Sequence, residues 1–231
     1  MNRDELLTRG VAQPPVVHEI AGVKALFPTD VEGGTWIATT ERGDTWALLN
    51  RNGGQRSPKN VSRGQLVLGA LAVSDNGDVA TLLDEVGLFN FLPFRLLGIV
   101  FVRQQVQEWV WDGQALTSLN HGWSANHWFS SGISDAKATE NRGSLFEAGR
   151  REPDAGSHDW LRRMHGSHGV APGAFSICVH RDDAATVSYT EVELTGSQVQ
   201  MRYHAGSPCV EAPVVQLAVP LVQSRNTVHS L

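Results

Sequence analysis

Short runs of hydrophobic and β-branched residues alternate with polar turns along the first part of the chain. Residues 35–40 are rich in Thr, Trp and Ile, and residues 45–49 repeat this pattern after a polar segment at 41–44. Such residues favour a pleated, half-buried strand, and the short polar connection is typical of a hairpin. The pattern therefore predicts a β-hairpin over residues 35–49.

A helical period appears in the segments that follow. Leu66, Val67, Ala70 and Leu71 fall on one face of a helix predicted over residues 63–73, with Ser62 as its N-cap. A second helix, capped by Ser74, is predicted over residues 77–86. The polar stretch 139–164 is predicted to form two helical pieces that separate near residues 153–157.

The remaining hydrophobic runs predict strands and one irregular segment. The predicted strands comprise residues 96–102, 126–133, 175–179, 186–194 and 198–204, together with a hairpin over 106–119 that turns at Asp112-Gly113. Residues 10–30 are predicted to be irregular because they contain Pro14, Pro15 and Pro28. We therefore predict one α+β domain over residues 1–211, with antiparallel sheets covered by helices, and a tail of uncertain state over 212–231.

Composition excludes several classes of protein. The chain has 231 residues and a formal charge of −5, so it lacks the excess of cations that binding to nucleic acid requires. A membrane span needs about 20 consecutive apolar residues, and none of the apolar runs approaches this length. A polar start without a signal peptide and only two cysteines predict a soluble, cytoplasmic protein. The preponderance of Arg over Lys hints at a bacterial gene of high GC content.

The histidines and cysteines, which most often act as metal ligands or nucleophiles, do not indicate a functional site from their spacing alone. His165 and His168 are three residues apart, but zinc motifs such as CxxC and HExxH are absent, so solvated loop histidines and no metal site are predicted. Cys178 and Cys209 are both interpreted as structural. Phosphate-binding glycine motifs and the GxSxG elbow are also absent. Four tryptophans, at positions 109, 111, 123 and 128, could line a groove or pack in the core.

The charged opening at residues 2–5 is, from spacing alone, typical of a solvated surface. It is also the first of several segments that together resemble a known family. Residues 2–5 (NRDE), 32–36 (EGGTW), 47–50 (ALLN) and 62–67 (SRGQLV) occur in family order, and 132–135 (GISD) is a weaker match. These motifs resemble the NRDE family, also called the transport and Golgi organisation 2 family, over about the first 145 residues.

This resemblance implies an N-terminal-nucleophile-hydrolase-like fold, an αββα sandwich of two antiparallel sheets. Related amide hydrolases use an N-terminal Cys as nucleophile, with its own amine as the base. Relatives usually have an apolar strand before the NRDE signature, so the resemblance also implies that the first strand of the fold is missing from this sequence. Residues 2–5 would then belong to the second strand of the family fold.

The resemblance also assigns site residues. Arg3 and Asp4 resemble the pair that supports the nucleophile, and Asn50 resembles the Asn that stabilises the oxyanion. Asp135 stands where many relatives have Asn, and its charge puts oxyanion support from this position in doubt. A further set is predicted to bind a ligand: Asn2, Glu5, Trp36 and Arg63.

Two functional hypotheses remain at this point. The first is a non-enzymatic binding or trafficking factor, linked by the resemblance to haem or lipid handling; it requires no cofactor, but haem is a candidate ligand. The second is an N-terminal-Cys amide hydrolase whose nucleophile-bearing strand is absent from this sequence. A paralogue that keeps the fold without its former chemistry is a third interpretation. The predicted partner is a small molecule, either haem or an acyl or amide compound.

Overall fold

The computed structural model describes residues 1–53, 61–73 and 76–222, of which the side chains of 76–78 are excluded. The described residues form eleven strands: β1 (Asn2–Leu6), β2 (Gln13–Ile20), β3 (Val23–Thr29), β4 (Ile37–Thr40), β5 (Thr45–Asn50), β6 (Phe94–Val100), β7 (Gln105–Trp111), β8 (Leu116–His121), β9 (Ala184–Leu194), β10 (Gln198–His204) and β11 (Val214–Pro220). The helices in the same residues are α1 (Gly64–Leu71), α2 (Asn76–Glu85), α3 (Asp135–Gly149) and α4 (His158–His165), with a 3₁₀ turn at Leu88–Asn90.

The strands form two antiparallel sheets that face each other. The smaller sheet has the order β1-β9-β10-β11, and the larger is a meander in the order β2-β3-β4-β5-β6-β7-β8. Leu26 of β3 packs between the sheets against Val199 and Met201 of β10, and all three side chains are removed from solvent. The hydrophobic effect of this shared interior holds the two sheets together.

Helices cover the outer face of each sheet. Leu66 and Val67 of α1 pack against the larger sheet, in a core that includes Trp46 and Leu48 of β5. On the other side, Arg162 of α4 binds Glu191 of β9. The layer order is thus helix, sheet, sheet, helix, which confirms the predicted α+β sandwich of two antiparallel sheets.

Most of the predicted elements are present. The hairpin β4–β5, the hairpin β7–β8, helix α1, the two helices α3 and α4, and strands β6, β9 and β10 all lie where the hydrophobic pattern predicts them. The opening segment is strand β1, which pairs with β9, and not the solvated surface that spacing alone indicated. Helix α2 is also present, but its predicted cap, Ser74, lies outside the described residues.

The predicted irregularity of residues 10–30 is wrong, because this segment forms β2 and β3. Proline lacks the N–H that a sheet ladder needs, but β2 is an edge strand, where fewer donors are required. The β2–β3 register also shifts between Gln13 and Val16, at the site of Pro14 and Pro15. Pro14 and Pro15 are therefore accommodated at an edge and a bulge, whereas Pro28 lies near the end of β3.

Three local predictions are also wrong. Residues 126–133 contain no strand, and residues 175–179 form bends with one isolated bridge, from Val179 to Gly173. The backbone of both segments is used to hold neighbouring side chains: the Ser130 carbonyl accepts a bond from Arg142, and the Ile177 carbonyl accepts one from Asn2. Ser62 does not cap α1, which begins after Arg63 with no side-chain cap.

The segment after residue 211, predicted as a tail of uncertain state, contributes strand β11 to the edge of the smaller sheet. Val214 to Pro220 pair in continuous register with β10. Val219 is buried between the sheets, so this strand completes their shared core. Among the described residues, none of the helices is both long and apolar enough to cross a bilayer.

Candidate functional site

A cleft of about 1000 Å³ opens between the two sheets and the helices α3 and α4. Its walls come from strands β1, β4, β5, β9 and β10, from the segment that precedes α3, and from both helices. A volume of this size is at the upper end of what small-molecule sites occupy. The opening motif of the sequence, Asn2 to Glu5, lies along this cleft.

Arg3 and Trp36 form the centre of the cleft wall. Arg3 points inward from β1 and is 8% exposed, and its guanidinium carbon lies 4.5 Å from the centroid of the Trp36 ring. A cation over an indole is attracted by the ring quadrupole. The second contact of Arg3 is an ion pair with Glu5 at 3.1 Å, and Glu5 is also 3.5 Å from Arg9.

The turn before Trp36 explains the glycines of the second motif. Asp30 accepts a hydrogen bond from the Gly34 amide at 2.9 Å, and Gly33 has φ of 78°, which glycine adopts without strain. Gly34 lies against Gly64 at the start of α1, where a Cβ on Gly64 would come within 2.8 Å of the Thr35 nitrogen. The close approach of α1 to this turn therefore requires Gly64, and it aims Trp36 into the cleft.

Asn2 ties β1 to the segments on either side of it. Its side-chain amide donates to the carbonyl of His165 at 3.0 Å and to that of Ile177 at 2.9 Å, and its oxygen contacts Nδ1 of His165 at 3.1 Å. The His165 ring packs on Tyr189. Burial lowers the pKa of His165 well below its ordinary value, so the imidazole is neutral at pH 7.

Asp4 faces helix α3. Its carboxylate accepts a hydrogen bond from the Thr186 hydroxyl at 2.6 Å and lies 3.7 Å from Arg142. Arg142 is 5% exposed and donates to the carbonyls of Ser130 and Ala174. Its Nε is enclosed and has no hydrogen-bond partner among the described residues.

Glu191 is the centre of a third polar group on the cleft wall. Arg162 binds it through two N–H groups at 2.8 Å each, and the Tyr189 hydroxyl donates to it at 3.1 Å. Burial raises the pKa of Glu191 most strongly, but the hydrogen bonds and charge of Arg162, together with Tyr189 and Arg202, outweigh burial and hold that pKa below its ordinary value. This pair fixes α4 against β9.

The remaining predicted site residues do not all meet at one place. Asn50 ends β5 and lines the cleft, as does Arg63, which donates to the Pro93 carbonyl at 2.8 Å. Asp135 is not part of the cleft lining. Its carboxylate accepts from the amides of Ser131 and Asn52, at 2.7 and 3.1 Å, and so stabilises the loop before α3.

Sequence reasoning missed the aromatic side of the cleft. Phe129 and Phe146 line it, and Phe146 packs on His127, with ring centroids 4.2 Å apart, and on Trp160, at 5.8 Å. Of the four tryptophans considered as a groove, Trp128 alone lines this cleft; Trp109 and Trp111 are buried in the core, and Trp123 is exposed. No separate sequence signal pointed to Phe146, which lies 11 residues after the weak family match at 132–135.

The cleft lacks the contacts of an activated nucleophile in the part of the chain that the structure describes. Neither Cys178 nor Cys209 lines it. Burial, reinforced by a hydrogen bond with Cys209, raises the pKa of the Cys178 thiol to about 12, so this thiol is neutral at pH 7. No hydroxyl of the described cleft lining hydrogen-bonds a histidine, which is the contact by which a base activates such a group. The amide-hydrolase hypothesis stays a prediction.

Comparison with known proteins identifies the family of the chain. A search of curated proteins finds no match. One solved structure, a variant of the conjugated bile acid hydrolase from Clostridium perfringens, is similar over 97% of this chain and 90% of that chain, with 10% identity and a TM-score of 0.47. The family model described as transport and Golgi organisation 2 matches residues 1–153, which contain β1, the Trp36 turn and Arg142. The chain therefore belongs to the transport and Golgi organisation 2 family.

Proposed function

We propose that this protein is a non-enzymatic binding factor that holds one small amphipathic molecule, with an apolar body and a carboxylate, in the cleft. The observation that supports this proposal most directly is the position of Arg3 over Trp36 inside a cleft of about 1000 Å³. A concave, largely apolar site with a few convergent polar groups is the usual form of a small-molecule site.

The apolar body of the ligand would lie against the aromatic wall. Five of the hydrophobic side chains that line the cleft are Trp36, Ile37, Trp128, Phe129 and Phe146. Large aromatic side chains contribute most of the contact area in such sites and bind planar or chain-like apolar groups. This arrangement supports a ligand with a substantial hydrophobic surface.

The carboxylate would bind Arg3, with Arg142 as a second candidate. A guanidinium has five N–H donors, and among the described residues Arg3 uses its donors on Glu5 alone. The Nε of Arg142 is likewise without a partner there. Hydrogen bonds between a guanidinium and a carboxylate are charge-assisted and strong, so an anionic group that enters the cleft would be stabilised by the remaining donors of Arg3.

Haem and acyl lipids both have this chemistry, and both are ligand classes that the family resemblance suggests. Haem offers a flat macrocycle with two propionates, and a fatty acid offers a chain with one carboxylate. Both would present the carboxylate to the same arginine. Binding experiments with each molecule distinguish haem from an acyl lipid as the ligand.

Separate observations support the non-enzymatic part of this proposal. Neither cysteine lines the cleft, and the described hydroxyls there do not contact a histidine. Nucleophilic catalysis by a side chain that relies on a histidine base needs such a pair within hydrogen-bond reach. The residues that the cleft does bring together, Arg3, Glu5 and Trp36, are suited to recognition.

A titration of the purified protein with haemin, followed by the Soret band, and with oleate, followed by calorimetry, tests the proposal. We expect saturable binding of one molecule per chain for at least one probe. If both bind in the cleft, each will displace the other. Failure of both probes to saturate would overturn the proposal.

Two tryptophan variants locate the site. Trp36→Ala removes the ring beneath Arg3 and should weaken binding at least about 10-fold, because burial of one large side chain contributes about 1.5–3 kcal/mol. Trp123→Ala is the matched control, since this tryptophan is exposed and lies outside the cleft. Equal affinities for the two variants would place the ligand elsewhere and refute the assignment of the cleft.

A further inference from the structure

Four side chains from three separate segments meet at the end of the smaller sheet where β9 begins and β10 ends. His168 follows α4, Cys178 and His180 precede β9, and Cys209 follows β10. Each offers one nitrogen or sulfur atom, and these four atoms all lie within 4.8 Å of one another. None of the four residues lines the cleft described above.

The spacing of these atoms is close to that of a tetrahedral metal centre. Zinc bonds of about 2.3 Å to sulfur and about 2.0 Å to nitrogen place tetrahedral ligands about 3.3–3.8 Å apart. Here Nε2 of His180 lies 3.2 Å from the Cys209 sulfur and 3.6 Å from the Cys178 sulfur. The His168 and His180 rings are 5.0 Å apart and nearly perpendicular, so they can share one ion without stacking. Small side-chain rotations would close the set around a cation.

The environment of the cluster also indicates a ligand. Cys178 is fully buried, and Nε2 of His168 is enclosed with no hydrogen-bond partner among the described residues. Buried polar groups in native proteins are nearly always paired, and an exception calls for an explanation. A bound cation would give the His168 ring a partner.

The backbone holds the ligand-bearing segments in place. The Cys178 amide donates to the Ser167 carbonyl at 2.9 Å, which fixes the segment of Cys178 beside that of His168. Thr186, near the start of β9, accepts a bond from the Val179 amide at its hydroxyl and one from the Ser207 hydroxyl at its carbonyl, at 2.8 and 2.6 Å. All three segments are thus anchored independently of any ion, and the site is preorganised.

We propose that His168, Cys178, His180 and Cys209 form a structural Cys₂His₂ zinc site. Two sulfur and two imidazole ligands suit zinc and exclude magnesium or calcium, which prefer oxygen. Zinc displaces one proton from each thiol on binding, and the two thiolates then neutralise its charge, which suits a buried location. Four protein ligands leave no open position for a substrate, as in structural zinc sites.

The zinc site would stabilise the back of the cleft without entering it. Cys178 directly follows Ile177, whose carbonyl accepts the hydrogen bond from Asn2. A metal that cross-links the segments of His168, Cys178 and Cys209 would hold this carbonyl in place. The ion therefore contributes to the position of β1, and hence of Arg3, through the Asn2 contact.

The alternative chemistry for this cluster is a disulfide between Cys178 and Cys209, which are both free in the structure. A disulfide would consume both thiolate ligands, so the two states exclude each other. Intracellular proteins rarely keep disulfides, whereas they commonly keep Cys and His ligands on zinc. The metal content of the reduced protein separates the two states.

The test is the zinc content of the full chain purified under reducing conditions and then dialysed against buffer with a trace of zinc. Mass spectrometry of the metal should find one zinc per chain, and denaturation in a chelator should release it. Replacement of zinc by Co²⁺ should produce the intense visible bands of a tetrahedral site and a thiolate-to-cobalt charge-transfer band. A reduced protein that takes up no zinc, or a cobalt spectrum without the thiolate band, would overturn the proposal.

Variants identify the ligands. Cys209→Ser and His180→Ala should each weaken zinc binding more than about 100-fold, because loss of a residue that merely orients a ligand already costs about 10–100-fold. Cys209 is partly exposed, so the serine variant should fold, and circular dichroism checks that it does. His158→Ala, a half-exposed histidine outside the cluster, is the matched control and should keep its zinc. Full zinc affinity in Cys209→Ser would refute this ligand set.

Discussion

The guanidinium carbon of Arg3 lies 4.5 Å from the centroid of the Trp36 ring. Arg3 belongs to the smaller sheet, and Trp36 directly precedes strand β4 of the larger sheet. The contact joins β1 to the turn that precedes β4. It places an arginine whose donors are only partly used at the centre of the cleft. Recognition of a carboxylate should therefore depend on the charge of Arg3 more than on its bulk.

Arg3→Met should weaken haemin binding by about 10-fold or more, because a hydrogen bond to a charged group contributes about 1.5–3 kcal/mol. Methionine keeps most of the apolar contact with Trp36. The dimethyl ester of haemin, which lacks the charges, should bind the variant and the unmodified protein within about 2-fold of each other. Soret titrations measure both. An equal loss of affinity for the acid and the ester would show that Arg3 acts through packing.

Asn2→Ala should lower the free energy of unfolding by about 1–3 kcal/mol, since two carbonyls, of His165 and Ile177, lose their donor. Asn2→Asp should be no better, because a carboxylate cannot donate to either carbonyl. Urea denaturation measures both variants. Asn120→Ala, at an exposed position of edge strand β8, is the control and should change stability by less than about 0.5 kcal/mol. A fully stable Asn2→Asp protein would contradict the donor role.

Glu191→Gln should destabilise the protein at pH 7 and not at low pH. The pKa of Glu191 in the folded protein is held below its ordinary value of 4.5, so its ionised form stabilises the fold above that pH. This contribution disappears as the pH falls through the folded pKa. Urea denaturation should therefore show two stability curves that differ at pH 7 and converge in acid, once the pH falls through the folded pKa.

The control for Glu191 is Glu147→Gln, at an exposed ion pair with Arg150. Such pairs contribute about 0–1 kcal/mol, so this variant should follow the unmodified protein at every pH. A difference in stability between Glu191→Gln and the unmodified protein that does not shrink as the pH is lowered from 7 would rule out a contribution from its charge.

His165 should make the protein less stable in mild acid. Its pKa in the folded state lies well below 6.5 because of burial, so below pH 6.5 the unfolded chain takes up a proton that the folded chain does not. The free energy of unfolding should fall by up to about 1.4 kcal/mol between pH 7.5 and 5.5 for this reason. His165→Gln should reduce that fall. Equal slopes for this variant and the unmodified protein would refute this source of pH dependence.

The hydrophobic pattern was sufficient where an element is stabilised by its own neighbours in sequence. The β4–β5 hairpin follows from two β-rich runs and a short polar connection, and α1 follows from four apolar residues on one face. It failed for β2 and β3, because the effect of Pro14 and Pro15 depends on whether the strand lies at an edge, and sheet order is a tertiary property.

Only some of the residues of the cleft could be predicted from the sequence, because the others come together only in the folded chain. Arg3, Asp4 and Trp36 lie in motifs that resemble a family, so their importance was visible without the fold. Arg142 and Glu191 reach the same cleft from α3 and β9, far along the chain, and the four candidate zinc ligands come from three segments without a recognisable spacing. Their meeting depends on sheet pairing and loop closure, which spacing does not encode.

By itself, the sequence determined the mixed α+β class, most of the helices and strands, and the family to which the opening motif belongs, because periodicity and short motifs are local properties. Only the tertiary structure decided that residues 2–5 form a strand beside β9, that Asp135 lies outside the cleft lining and supports the loop before α3, and that two cysteines and two histidines converge. Each of these depends on contacts between residues far apart in the chain. Such contacts exist only once the two sheets have packed against each other and their helices.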